Sequence, residues 1–176
     1  MKFRRALTLV VLAVGFITLS TSVMAADYGG GNVQGYAADQ PIEHGTVVEL
    51  TGENSNRVKP ASQSEMQNMF GVAIDPRLLS VRLSGSAAEN ETYVAVSGTY
   101  NVLVSNQSGE IAAGDYLTMS SINGVAMKAG TEEPTVLGRA VGVFNEQSVL
   151  LGQTSIRDTS GNDVQQVSLG SVPVTI

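Results

Sequence analysis

Apolar residues come in short runs along most of this chain, and Gly, Asn, Asp, Ser and Pro separate the runs. In none of these runs do apolar residues recur at helical spacing for long. Many of the apolar residues are β-branched, as residues on pleated, half-buried surfaces tend to be. The pattern therefore predicts an all-β domain of many short strands joined by turns. The predicted strands are Thr46–Leu50, Arg57–Pro60, Phe70–Ile74, Tyr93–Ser97, Tyr100–Val104, Tyr116–Met119, Ala126–Ala129, Val136–Val143 and Ser148–Gly152.

Two local signals add to the strand pattern. Ser62–Met69 is the one segment predicted as a helix, and it is long enough for only about one or two turns. Asn123 and Gly124 lie between the predicted strands Tyr116–Met119 and Ala126–Ala129. Because Asn-Gly accepts the positive φ angles of a type I′ turn, these two strands are predicted to form a β-hairpin.

The chain contains an internal repeat at a separation of 69 residues, as between positions 42 and 111. The aligned segments are Ile42–Leu50 with Ile111–Met119, Val58–Pro60 with Met127–Ala129 and, after a two-residue deletion, Phe70–Ile74 with Leu137–Val141. The alternative is chance similarity among valine-rich strands. A true repeat is favoured because the Gly, the Lys and the Gly-x-Ala motif of one copy align with those of the other at nearly the same separation. The alignment puts Lys59 and Lys128 at one position of the repeat. Both are predicted to pack their aliphatic side-chain carbons on the barrel surface and to expose their ammonium groups to solvent.

One copy of this repeat has too few strands to bury both of its faces, so the two copies are predicted to share one core. The sequence therefore predicts a compact β-barrel or β-clip-like domain built from two similar halves. These halves cover about residues 42–98 and 111–152.

The N-terminus has the order of a secretory signal peptide that ends at Ala25 and forms an N-terminal helix. Lys2, Arg4 and Arg5 precede the apolar run Ala6–Leu19, and small residues follow. The alternative is an uncleaved membrane anchor, since the apolar stretch can be extended to the roughly 20 residues that span a bilayer. Cleavage is favoured by the polar residues after the run and the small residue at the cut. The predicted location is extracytoplasmic, either secreted or at the cell surface.

The rest of the chain is predicted to divide into three parts. They are a Gly-rich linker over residues 26–35, the β-domain over residues 36–153 and a polar tail over residues 154–176. In the tail Val172, Val174 and Ile176 alternate, which predicts a terminal strand that adds to this sheet or to a neighbour's. Pro173 is expected to confine that strand to an edge.

Charge and cysteine content exclude several classes of partner and site. The chain has 10 Lys and Arg against 16 Asp and Glu, and loss of residues 1–25 would leave 7 against 16, or −9. Its basic residues are scattered, whereas nucleic acids and anionic lipids need clustered ones, so no nucleic acid is predicted as a partner. The absence of cysteine excludes disulfides and thiol chemistry. The predicted partners are proteins or further copies of the chain, and a membrane only if the N-terminal segment stays uncleaved.

Candidate catalytic and metal residues do not form a site, so no catalytic, cofactor-binding or metal residue is predicted. His44, the single histidine, takes the repeat position of Ala113, which indicates a turn residue rather than part of a Ser-His-Asp site. A Ser-Lys hydrolase using Lys59 or Lys128 would need a buried lysine with a lowered pKa. The segment Asp158–Asp163 is faintly like a calcium loop but lacks its regular spacing and closing Glu.

One part of the chain resembles known phage domains. The run Gly109–Leu117, continued by Gly124–Ala129 and Val136–Ala140, resembles the C-terminal part of phage tail-spike intramolecular chaperone or self-processing domains. It is also similar to duplicated small β-barrel proteins associated with phage capsids. The match covers about 32 residues and implies a compact β-barrel or β-clip unit displayed on an oligomeric surface structure. It does not imply activity, since the processing residues of that family match no positions here.

The leading prediction for function is a non-enzymatic, exported or envelope-associated β-domain with a structural or adhesive role in an oligomeric surface assembly. The alternative is a self-processing or Ser-Lys type hydrolase of the extracytoplasmic space. A carbohydrate- or ion-binding module ranks third, because aromatic residues make up only 5% of the chain and leave little surface for stacking on sugars.

Overall fold

The computed structural model describes residues 31–52, 56–78, 90–157 and 164–176. The predicted signal peptide and the segment Asp158–Asp163 lie outside these ranges, as does the first half of the predicted linker. Within them the fold is all-β, which confirms the predicted class. The predicted helix is a 3₁₀ segment, Gln63–Asn68, and a second 3₁₀ segment is Pro76–Leu78. No helix among the described residues has the length and apolar character to cross a bilayer.

Eleven strands are described. They are β1 Val33–Ala38, β2 Val47–Leu50, β3 Arg57–Pro60, β4 Met69–Ile74, β5 Thr92–Ala95, β6 Thr99–Ser105, β7 Tyr116–Met119, β8 Ala126–Lys128, β9 Gly138–Ala140, β10 Gly152–Arg157 and β11 Val164–Thr175.

These strands form two barrels of the same topology. In the first, β1-β3-β2-β4-β5 closes on itself, with β1 and β3 parallel and the other neighbours antiparallel. In the second, β6-β8-β7-β9-β11 closes in the same way, with β6 and β8 parallel. β10 is an addition that pairs with β11. The two predicted halves are confirmed, and each closes its own barrel instead of supplying part of one sheet.

Strand register corrects the predicted equivalence of the two lysines. Val48 pairs with Pro60 in the first barrel, and the corresponding Leu117 pairs with Lys128 in the second. Lys128 therefore takes the place of Pro60, one position away from that of Lys59. Because side chains alternate along a strand, a shift of one residue moves a side chain to the other face.

The interiors of the barrels are filled by equivalent aliphatic residues. The first holds Val48, Val58, Ala73 and Val94, and the second holds Leu117, Ala126, Ala140 and Val174 at the matching positions. The second core also takes in Val47, Ala61 and Val72 from the first barrel. Apolar packing is therefore continuous between the two barrels although their sheets are separate.

The Gly-x-Ala motif of the repeat marks where each barrel closes. A Cβ atom at Gly71 would lie 2.3 Å from the carbonyl oxygen of Ala95, and one at Gly138 would lie 2.2 Å from that of Thr175. Both contacts are with backbone of the neighbouring strand, so no residue larger than glycine fits without moving it.

The predicted hairpin is confirmed, since β7 and β8 are antiparallel and joined through Asn123 and Gly124. Its turn type differs from the prediction. The N–H of Val125 donates to the carbonyl of Ile122, and only Gly124 has a positive φ, +77°. This geometry fits a type II turn, in which only the third residue needs a positive φ.

The tip of this hairpin joins the barrels. The N–H of Val47 donates to the carbonyl of Gly124, the N–H of Gly124 donates to that of Ala61, and the N–H of Ala61 donates to that of Val47. A second link runs from the N–H of Leu103 to the carbonyl of Gly45. Main-chain hydrogen bonds therefore hold the barrels against each other at two places.

The predicted domain limits are wrong at both ends. Residues 33–35, assigned to the linker, form the first half of β1. The predicted polar tail forms β10 and β11, and its predicted terminal strand is present as the end of β11. The predicted strand Ser148–Gly152 is a loop that reaches β10 only at its last residue. β11 as a whole is not an edge strand, but at Pro173 it is ladder-paired on one side only, with β6, as the predicted edge position requires. The proline is tolerated because β10 pairing stops at Leu169 and β9 pairing starts at Val174, so the missing N–H interrupts no ladder.

Candidate functional site

The single histidine lies at the rim of the first barrel, and its ion-pair partner among the described residues is a carboxylate. The side chain of His44 is about half exposed, and its Nδ1 lies 3.8 Å from the Asp75 carboxylate. Asp75 is held mainly by Arg77, whose Nε donates to it at 2.8 Å. The group at this rim is therefore a surface ion-pair cluster.

A buried carboxylate forms the centre of a second polar cluster. Glu49 on β2 is fully buried, and its Oε1 lies 2.9 Å from the Nζ atom of Lys59 on the opposite strand. The N–H of Ser62 donates to the other carboxylate oxygen at 3.0 Å. Lys59 also contacts Glu65 on the 3₁₀ segment at 3.1 Å. These contacts tie the 3₁₀ segment to the wall of the first barrel.

Neither lysine has the environment that a Ser-Lys hydrolase requires. Hydrogen bonds from Lys59 to Glu49 and Glu65 raise the pKa of its ammonium group, whereas a general base needs a lowered pKa. Lys128 lies 2.9 Å from the carboxylate of Asp115, and the pKa of Asp115 is lowered by that lysine. Both lysines therefore act as charge partners of carboxylates.

The carboxylates of these clusters predict sensitivity to acid. Arg77 lowers the pKa of Asp75 from 3.8 to about 2, and hydrogen bonding with Glu49 and Lys59 lowers that of Glu65. A carboxyl whose pKa is lower when folded contributes stability above its unfolded value, and this contribution is lost as pH falls through the folded pKa. We expect the melting temperature to change little between about pH 7 and 5 and to fall from about pH 4 to pH 2.

Thermal unfolding followed by circular dichroism across this range measures the effect. Arg77→Ala is the matched variant, since it returns the pKa of Asp75 toward 3.8 and should make the acid-dependent fall shallower. Equal profiles for the two proteins would show that Asp75 does not contribute to the fall.

Exposed apolar side chains concentrate on one segment of the second barrel. Among the described residues nine large hydrophobic side chains are exposed, and five of them lie between residues 141 and 151. We call these five the apolar strip: Val141, Val143, Val149, Leu150 and Leu151. Val149 is 85% exposed and Leu151 is 62% exposed. The same eleven residues include one charged side chain, Glu146.

A buried aromatic ring, that of Phe144, lies within the segment that carries the apolar strip. Phe144 is only 1% exposed, and its backbone forms a two-way bridge with Ile111. A turn follows in which the N–H of Asn145 donates to the hydroxyl of Ser148, and the N–H of Ser148 donates to the carbonyl of Asn145. The exposed residues therefore stand on a fixed loop.

A cleft of about 390 Å³ adjoins one end of the apolar strip, between the barrels. Ile74 and Tyr100 form its floor and are almost completely buried. Leu78 from the first barrel and Leu151 from the apolar strip line its walls, and His44 lines its rim. Leu151 therefore belongs both to the apolar strip and to the wall of the cleft.

Sequence reasoning missed this surface because it assigned its apolar residues to strands. The continuous run Val149–Leu151 has the pattern of a buried strand, and Val136–Val143 was predicted to be one strand. Only Gly138–Ala140 of the latter is a strand. The scarcity of charge around the run was the available signal, since solvent-facing loops are normally polar.

Metal-ligating side chains do not cluster among the described residues. No group of three or more His, Asp or Glu side chains comes together in these ranges in a way that could hold a metal ion. The segment Asp158–Asp163 lies outside them.

Comparison with known proteins adds no assignment. No protein-family model matches the chain, and no curated protein matches it either. The resemblance to phage tail-spike and capsid-associated domains therefore stays a prediction.

Proposed function

We propose that this protein is an exported structural or adhesive module that works within an oligomeric surface assembly. The observation that carries the proposal is the apolar strip, a set of exposed aliphatic side chains on a fixed loop of an otherwise well-packed double barrel. Large exposed apolar patches on soluble domains usually mark sites of protein association. Export is inferred from the order of charged, apolar and small residues before Ala25.

The double barrel suits a structural role. Main-chain hydrogen bonds at Gly124 and Gly45 and a continuous apolar core fix the two barrels to each other. A unit joined in this way can transmit load between an attachment point and a partner without bending at a linker. The hydrolase alternative has weaker support, because the pKa of Lys59 is raised.

Removing apolar surface from the strip is expected to weaken self-association. Full burial of a Val or Leu side chain is worth about 1.5–3 kcal/mol. The double variant Val149→Ser and Leu151→Gln should therefore raise the dissociation constant at least about tenfold, which corresponds to about 1.4 kcal/mol. Sedimentation velocity over a wide range of concentrations measures this change.

Val96→Ser is the matched control, since Val96 is also exposed but lies just after β5 on the first barrel. It should leave the dissociation constant unchanged. A wild-type protein that remains strictly monomeric at high concentration would overturn the proposal, as would equal weakening by the control.

A further inference from the structure

The strand that follows the apolar strip has an open edge. β10 pairs with β11 on one side and is the last strand of its sheet among the described residues. In an antiparallel sheet, alternate residues of an edge strand direct their N–H and C=O groups away from the paired side. Over six residues, Gly152–Arg157, this edge offers a template for one more strand.

Among the described residues, this edge has few of the features that usually protect against pairing, and Arg157 at its end is its only charged side chain. Soluble proteins shield open edges with Pro, Lys, bulges or inward-pointing charges. The register of β10 against β11 is unbroken from Gly152 to Arg157, and β10 contains neither Pro nor Lys. Its neighbours also lack charge, since the ten residues from Gln147 to Ile156 contain no Asp, Glu, Lys or Arg.

The charge distribution leaves one surface along which a second copy of this chain can approach with little repulsion. With a net charge of −6, two copies repel each other over most of their surfaces. The uncharged run from Gln147 to Ile156 is a place where this repulsion is weakest. It contains both the open edge and the most exposed part of the apolar strip, Val149–Leu151.

We infer that two copies associate through antiparallel pairing of their β10 strands, with Ser155 opposite the same residue of the second copy. The inference rests on the proposed function and names the surface through which the copies associate. Main-chain hydrogen bonds across the edge would join the two second barrels into one continuous sheet. The two apolar strips, which lead directly into β10, would then lie beside the new interface.

The side chains of β10 are compatible with this register. Gln153, Ser155 and Arg157 are on the exposed face of β10, whereas Thr154 and Ile156 are half-buried on the other face. Centring on Ser155 places Arg157 opposite Gln153 and Ile156 opposite Thr154 of the second copy. Each exposed side chain then faces an exposed one, and no two charges of like sign oppose each other.

Cysteine cross-linking tests this register directly, because the natural chain contains no cysteine. Directly opposed residues of antiparallel strands have Cα atoms about 4.5–5.5 Å apart, within the range of a disulfide. Ser155→Cys should therefore form a disulfide-linked dimer under mild oxidation. In Gln153→Cys the two thiols would be separated by four residues along the strands, about 13 Å, and should not link.

The experiment uses the full chain at a concentration where wild-type protein is oligomeric by sedimentation, and non-reducing electrophoresis measures the linked fraction. At least about tenfold more linked dimer in Ser155→Cys than in Gln153→Cys is the expected result. Equal linking, or none, in an oligomeric protein would overturn the β10 pairing while leaving the proposed function intact. A monomeric wild-type protein would overturn both.

A second variant covers the case in which cysteine disturbs the strand, since the hydroxyl of Ser155 accepts a hydrogen bond from Gln166. Ser155→Lys would oppose two like charges at the centre of the paired strands. It should weaken association at least about tenfold while leaving the circular dichroism spectrum unchanged. Unchanged association with a folded protein would contradict the inference.

Discussion

Replacement of Phe144 by alanine is expected to lower the free energy of unfolding by about 3–5 kcal/mol. Phe144 is among the largest fully buried side chains of the described residues. Its ring packs so closely on β11 that a Cβ atom at Gly170 would lie 2.3 Å from a ring carbon. The truncation therefore leaves a cavity that the glycine on the facing strand cannot fill.

The loss should also affect the proposed interaction surface, because the buried ring fixes the position of residue 144, whose backbone bridges to Ile111 beneath the apolar strip. Urea unfolding measures the change in stability, and Val143→Ala is the matched control. Val143 is the preceding residue and is 53% exposed, so its truncation should change stability by no more than about 0.5 kcal/mol. Equal losses for the two variants would show that the ring is not the anchor.

Gly124→Ala is expected to cost about 2–5 kcal/mol, from two separate causes. The positive φ of +77° disfavours any L side chain by about 1–2 kcal/mol. In addition, a Cβ atom would lie 2.5 Å from the Cγ2 atom of Thr46 in the first barrel, and overpacking of this kind costs typically about 1–3 kcal/mol. The substitution therefore strains the contact that joins the barrels.

Gly114→Ala separates these causes, since Gly114 has a φ of +95° but a Cβ atom added there would meet no other atom within 4 Å. It should show only the backbone cost, about 1–2 kcal/mol. The difference between the two variants in chemical unfolding measures the steric cost at the junction. If they are equally destabilised, the hairpin tip does not constrain the barrels.

Prediction from the sequence succeeded for strands and turns whose conformation depends on residues only a few positions apart. β3 and β7 have the predicted bounds, and the hairpin between β7 and β8 is present. The repeat could be detected because a barrel closes only with small residues at certain points. Gly71 and Gly138 have no room for a Cβ atom, so both copies must keep glycine there.

Prediction failed where a strand is stabilised by distant partners. β1 includes Gly35 and borders a glycine-rich segment, yet it forms because β3 and β5 pair with it on both sides. β11 contains Gly170 and Pro173, which normally argue against a central strand. Pairing with β6 over seven residues overrides these local preferences.

The candidate site was not visible in the sequence for a related reason. The residues Val149–Leu151 form an apolar run, and such a run normally indicates a buried segment. Only the tertiary structure shows that no other part of the described chain covers it. Phe144, five positions earlier, is buried, whereas Val149 is 85% exposed. Both residues are large and apolar, so only the packing distinguishes the anchor from the surface.

The amino-acid sequence by itself determined that this is an all-β protein of two similar halves, because strand period and turn residues are local properties of the chain. The tertiary structure alone decided that each half closes into its own barrel, which lysine corresponds to which position, and which apolar residues face solvent. These features depend on register and on contacts between residues far apart in the chain. A shift of one residue, as between β3 and β8, changes the face of every side chain without changing the local pattern.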